Sequence, residues 1–223
     1  MYKAAKLEPT NAGIRKKYEE LKKQVLELRQ SADDGEDLED RPPEHNVAAL
    51  PRVYMDIKVG QQDPVRLVFA LYTDSVPRTA ENFRQLCTGE FDGFSSRGNK
   101  LHYKGSILHR MIPGLMVQGG DFDNCNGTGG ESIYGRRFAD EKFADKHTRR
   151  GLVAMANDGP NTNGSNFFVT FAAAEHLDRK HVIFGELVEG SELLDVLEGL
   201  PTDEECRPLT DCVVHDCGDL GAP

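Results

Sequence analysis

Three blocks of this chain hold the residues best suited to chemistry. The first, Ile107 to Phe122, sets Arg110, Gln118 and Met116 among apolar and glycine residues, and leads into Asn126-Gly127-Thr128-Gly129-Gly130. The second runs Met155-Ala156-Asn157-Asp158-Gly159-Pro160-Asn161-Thr162-Asn163-Gly164-Ser165-Asn166-Phe167-Phe168, and the third Leu177-Asp178-Arg179-Lys180-His181-Val182-Ile183-Phe184-Gly185. Common site types do not fit them. His102, His109, His147, His176 and His181 form no His-Glu-x-x-His helix, and no Cys-x-x-Cys pair occurs, so no zinc site is expected. Asp121-Phe122-Asp123 opens like a calcium loop, but its sixth position is Asn126 rather than glycine and its twelfth is Ser132 rather than glutamate. Gly127-Thr128-Gly129-Gly130 is followed by no Gly-Lys-Ser/Thr and is no phosphate loop; its glycines are turn formers. What remains is a permanent cation with several donors, Arg110, beside a glutamine and apolar side chains.

Taken together, and in this order, the three blocks resemble the cyclophilins, the cyclosporin-binding peptidyl-prolyl isomerases, over roughly Pro51 to Asp219. The resemblance implies a reaction that needs no metal, nucleophile or cofactor. Rotating an X-Pro amide breaks its resonance, at ~18–20 kcal/mol uncatalysed, and the twisted proline nitrogen regains a lone pair. A donor aimed there binds the transition state better than the ground state. By position Arg110 matches the family's catalytic arginine. Phe168, Met116, Leu115 and Leu177 match the walls that take the proline ring, and Gln118 and the backbone of Asn157 match the groups that hold substrate amides. His109, Ile112, Gly127, Ala156, Asn166 and His181 complete the surface by the same correspondence. The partners implied are proline-containing peptides and proteins. A proline-peptide binding module with incidental turnover is the competing reading.

Several positions depart from the family pattern. Leu115 stands where phenylalanine is common, and His176 where a tryptophan donates to cyclosporin A, which predicts weak binding of that drug. Asn166 is one methylene shorter than the usual glutamine. Asp158 replaces an alanine, and Arg136-Arg137 replace a mixed-charge pair, around the site implied for the residue two before proline. This predicts a shifted preference there, toward acidic or polar side chains. Gly89–Lys104 is long and, with Cys87, Cys217 and Glu131, resembles the divergent-loop subgroup, which implies a redox-active thiol pair. The alternative is that both thiols are inert small hydrophobes.

Composition bounds the setting. A formal net charge of −10 disfavours nucleic-acid binding, and no run approaches the ~18 apolar residues of a membrane span. The first thirty residues lack an apolar signal core, and Glu8, Glu19 and Glu20 argue against a transit peptide. Five cysteines, an odd number, suggest reduced thiols, so the cytoplasm or nucleus is expected and the sequons at Asn126 and Asn163 remain unmodified.

The elements that must position the three blocks follow from periodicity. Val53, Met55, Ile57 and Val59, then Val65, Leu67, Phe69 and Leu71, alternate as two strands. Residues 77–87 carry apolar positions at helical spacing behind Pro77. Short strands are expected at Ser106–His109, Leu115–Gly119, Leu152–Met155, Phe167–Phe171, Val182–Leu187 and Asp211–Asp216, with a helix at Ser191–Glu198. Such a pattern suggests a mostly β, closed antiparallel barrel, and the resemblance implies eight strands capped by two α-helices. Ahead of this domain, read as residues 50–223, lie an extension (1–31) and an acidic linker (32–49). In the extension Ile14, Tyr18, Leu21, Val25 and Leu28 form an apolar stripe on an expected N-terminal helix, Ile14 to Gln30. That helix either lies on its own domain or docks a protein partner.

Overall fold

The computed structural model describes residues 43–221. The N-terminal helix and residues 1–42 of the extension and linker lie outside the described residues. The compact unit begins at Pro43, so the last stretch of the acidic segment belongs to the folded body. There His45 stacks on Tyr72 with ring centroids 3.6 Å apart, and its two nitrogens stand 3.1 Å from Asp74 and 3.2 Å from Asp145.

Strand β1 (Arg52–Val59) alternates as its sequence does, burying Val53, Met55, Ile57 and Val59, and pairs antiparallel with β2 (Val65–Leu71). Helix α1 (Pro77–Thr88) starts on a proline whose fixed φ suits a first turn. Its free N-terminal amides find a distant partner: Arg78 N and Thr79 N donate to the Glu141 carboxylate at 3.1 and 2.9 Å, a negative group at the positive end of the helix. It ends at Gly89, left-handed at φ 63°, whose N–H reaches the Gln85 carbonyl. The buried face of α1 presents Phe83, whose ring meets those of Phe69, Tyr103, Phe167 and Phe184 at 4.9–6.0 Å. This aromatic centre supports the strand that carries Phe168.

The remaining elements are β3 (Arg110–Ile112), β4 (Met116–Gly119), β5 (Leu152–Met155), β6 (Phe167–Thr170), β7 (Ile183–Glu189), α2 (Ser191–Glu198) and β8 (Cys212–Gly221). All eight strands join one antiparallel sheet in the order β3-β4-β6-β5-β7-β2-β1-β8. The sheet curls into a half-barrel, and the expected closed barrel is not met. No ladder joins β3 to β8; only an isolated bridge, Ile107↔Val213, crosses the gap. The physical reason is that residues 106–108 touch β8 briefly, through Leu108 N to Cys212 O and Val214 N to Ser106 O. The chain then turns away, and 110–112 pair with β4 instead. The strand expected at Ser106–His109 accordingly lies at Arg110–Ile112.

Candidate active site

Register decides which side chains meet. Arg110 on β3 pairs with Gln118 on β4, and Gln118 pairs with Phe168 on β6. Residues directly opposite each other share a face of the sheet, so these three form one row across three strands, spanning about 10 Å. Ile112 and Met116 make the next row on that face, since residues two apart along a strand point the same way. Phe168 is buried, whereas Arg110 is exposed, and its guanidinium engages no carboxylate among the described residues. Its donors are therefore free to meet a ligand.

The far wall is braced from behind. Phe168 stacks on His147, with centroids 5.8 Å apart and planes 17° apart, and meets the edge of His181 at 5.3 Å. His147 is held by the Asp178 carboxylate, 2.8 Å from Nδ1, and His181 Nδ1 lies 3.0 Å from the Met155 carbonyl. Burial lowers the pKa of both imidazoles, and of His109, below the ordinary value. The Asn157 amide donates to the Lys180 carbonyl at 2.7 Å, locking its loop to the third block.

The near rim is the loop 121–130, wound around one buried carboxylate. Asp121 accepts N–H bonds from Asp123, Asn124, Asn126, Gly127 and Gly129 at 2.8–3.2 Å. Burial alone would raise its pKa, but the backbone donors, led by those of Asn124 and Gly129, outweigh it and hold the group ionised below its usual range. Gly127 sits at φ 91°, and a Cβ there would come within 2.9 Å of His109 Nε2, so the rim needs glycine at this position.

Between wall and rim opens a cleft of ≈ 480 Å³. It is walled by Met116, Phe168, Leu115 and Leu177, with Arg110 and Gln118 at one side. Residues 54–219 match the family of cyclophilin type peptidyl-prolyl cis-trans isomerases. The chain belongs to the cyclophilin family. It carries a peptidyl-prolyl cis-trans isomerase domain, which binds proline-containing peptides.

The cleft gathers Arg110 and every candidate substrate-binding residue named from this cyclophilin's sequence except Asn166 and His176. His109, Ile112, Gly127, Ala156, Asn157, Asp158 and His181 all line it. Asn166 lies behind the rim instead: its side-chain amide donates to the Gly129 carbonyl at 2.7 Å, and its backbone carbonyl accepts from Ala156 N. His176 sits exposed on the short 3-10 turn Glu175–Leu177, outside the cleft wall. Asn126, Thr128, Glu205 and Arg207 also line the cleft and were not anticipated. The last two ride on a turn that Asp203 caps through Glu205 N and Arg207 N, and Met111 N holds it to β3 by the Cys206 carbonyl at 2.7 Å. Nothing in the local sequence beyond an acidic turn signals that contact.

The thiols stand apart from the cleft. Cys87 and Cys217 are free and buried, and Cys217 Sγ lies 3.6 Å from His102 Nε2. Burial pushes the Cys217 thiol up to about 12 and that of Cys87 well above its ordinary value.

Proposed function

We propose that the domain turns over X-Pro bonds through Arg110, with Gln118 and Phe168 fixing the two flanks of the amide. The proline ring is placed against Phe168, Met116, Leu115 and Leu177, where burying apolar surface supplies binding. Gln118 and the Asn157 backbone hold the flanking peptide groups. As the amide twists, the guanidinium donates to the proline nitrogen, whose lone pair exists only near the transition state. No covalent bond is made, and the protein supplies position and charge.

The single observation that carries this assignment is the Arg110–Gln118–Phe168 row, with an arginine that has no carboxylate partner among the described residues beside an apolar wall. A charge-assisted hydrogen bond contributes ~1.5–3 kcal/mol, about ten- to a hundredfold in rate. Arg110→Ala should therefore lower kcat/KM by that factor in a coupled tetrapeptide assay while the melting curve is unchanged. A well-folded variant with wild-type turnover would refute the assignment.

The wider reading is of a folding-assistance enzyme in the cytoplasm or nucleus, acting on proline-containing segments of client proteins, with weak affinity for cyclosporin A. The exposed position of His176 supports the last point, since its ring is not presented to the cleft. The net charge of −10 supports protein rather than nucleic-acid clients. The N-terminal stripe would either lie on its own domain or dock a protein partner.

A further inference from the structure

We propose that the turn 203–207 grips the main chain of an extended substrate, so that this cyclophilin prefers long proline-containing segments to short peptides. The proposal rests on the isomerase reading of the cleft and adds the substrate class. Glu205 and Arg207 both line the cleft, and both are exposed. Neither side chain has a hydrogen-bond or ion-pair partner among the described residues, and the two do not pair with each other. The turn that carries them is nevertheless firmly built. The Asp203 carboxylate accepts from Glu205 N at 2.9 Å and from Arg207 N at 2.8 Å. Asp203 N donates to the Arg207 carbonyl, Cys206 N to the Asp203 carbonyl and Leu209 N to the Pro201 carbonyl at 2.9–3.1 Å, and Thr202 bridges to Pro208. Between the two charged residues Cys206 is held at φ 64°, a left-handed conformation that residues other than glycine rarely adopt. Such a conformation persists where the surroundings over-determine it, and it collects at ligand clamps. Here it stands at the cleft, on the outer edge of β3, where Met111 N donates to the Cys206 carbonyl at 2.7 Å.

Charge and spacing say what is gripped. A carboxylate accepts from an N–H, and a guanidinium donates to a carbonyl. A residue in an extended chain turns its own N–H and C=O to the same side, so one substrate residue satisfies both groups. The pair sums to zero charge. It therefore gives no preference between acidic and basic side chains and reads the main chain instead. Reach follows from the sheet. From Phe168 on β6 the path crosses β4 and β3 to the turn, three steps of ~4.8 Å or about 14 Å in all. An extended chain covers that with about four residues at ~3.3–3.6 Å each. A tetrapeptide with proline in third place falls short, whereas an unfolded segment of a protein reaches.

Labelled peptides with one proline and uncharged flanks of alanine and serine test this. The flank on one side of the proline is lengthened stepwise while the other stays short, in both directions, and each peptide is titrated by fluorescence anisotropy and assayed for turnover. In one direction affinity should step up about fivefold, the scale of one net hydrogen bond, once the flank reaches about four residues. Methylating the backbone nitrogen of the residue that brings the step removes its N–H and should cancel the gain. Exchanging the side chain of that residue among Ala, Glu and Lys should leave the gain in place. The ratio of long to short peptide, taken within each protein, should shrink in Glu205→Ala and in Arg207→Ala and vanish in the folded double variant. The N-methyl series uses the wild-type chain and decides the matter alone if the double variant does not fold. A binding curve without a length step in either direction overturns the proposal, as does a step that survives N-methylation or follows side-chain charge. Length-dependent binding without turnover of any peptide would leave the grip standing and remove the isomerase reading; turnover without a length step would do the reverse.

Discussion

His45 offers a sharp test of where the folded unit begins. Its ring is 5% exposed, stacked on Tyr72 and placed between Asp74 and Asp145. The two pairs differ in value. The Asp74 side chain is 48% exposed and stays solvated without its partner, so that contact adds little. Asp145 is 11% exposed, and removing its partner strands a buried acceptor at ~1–3 kcal/mol. Losing the stack adds to this, but the two terms share one ring and do not sum. We expect His45→Ala to destabilise by about 2 kcal/mol, a fall in Tm of ~4–8 °C for a domain of this size. Deleting residues 1–42, which spares His45, should leave Tm unchanged and small-peptide turnover within about twofold of the full chain, because the compact unit begins at Pro43 and every cleft residue lies beyond position 100. Deleting residues 1–46 should reproduce the His45→Ala loss in calorimetry. An unchanged Tm in His45→Ala, or loss of turnover on removing 1–42 alone, would refute the reasoning.

Cyclosporin A should inhibit weakly in the peptide assay, because His176 lies outside the cleft and Leu115 supplies no aromatic floor; nanomolar inhibition would contradict this. Buried thiols with raised pKa carry little thiolate at neutral pH, so Cys87 and Cys217 should resist Ellman's reagent in the folded protein, and mild peroxide should leave turnover intact. A reversible loss of activity that Cys87→Ser abolishes would favour the redox reading instead. His109, His147 and His181 titrate below the ordinary imidazole value in the folded state. The unfolded chain, with imidazoles near ~6.5, therefore takes up protons first. Stability should be full above that value and be lost as pH falls through the lower folded values. Urea midpoints should drop between pH ~7.5 and ~5.5, and a constant or rising midpoint would show that these rings are not held neutral.

Local pattern carried much of this molecule. Alternation in Val53–Val59 and helical spacing behind Pro77 reflect burial on one face, which neighbouring residues alone dictate, and both elements stand where the spacing put them. Arg110, Gln118, Met116 and Phe168 were legible because their types and order form a motif. Tertiary structure decided what depends on residues far apart in sequence. The first strand of the site pairs at 110–112 rather than 106–109 because β4 offers it a ladder and β8 only a bridge, and for the same reason the sheet remains a half-barrel. Glu141 caps a helix more than fifty residues before it, His45 clamps to Asp145, and the turn bearing Glu205 and Arg207 reaches the cleft through one bond to Met111. Asn166 is expected on the binding surface from its place in the second block, but its short amide serves the Gly129 carbonyl behind the rim. Periodicity records which face of an element is buried, whereas partners across the fold are chosen by packing that no short stretch of sequence contains.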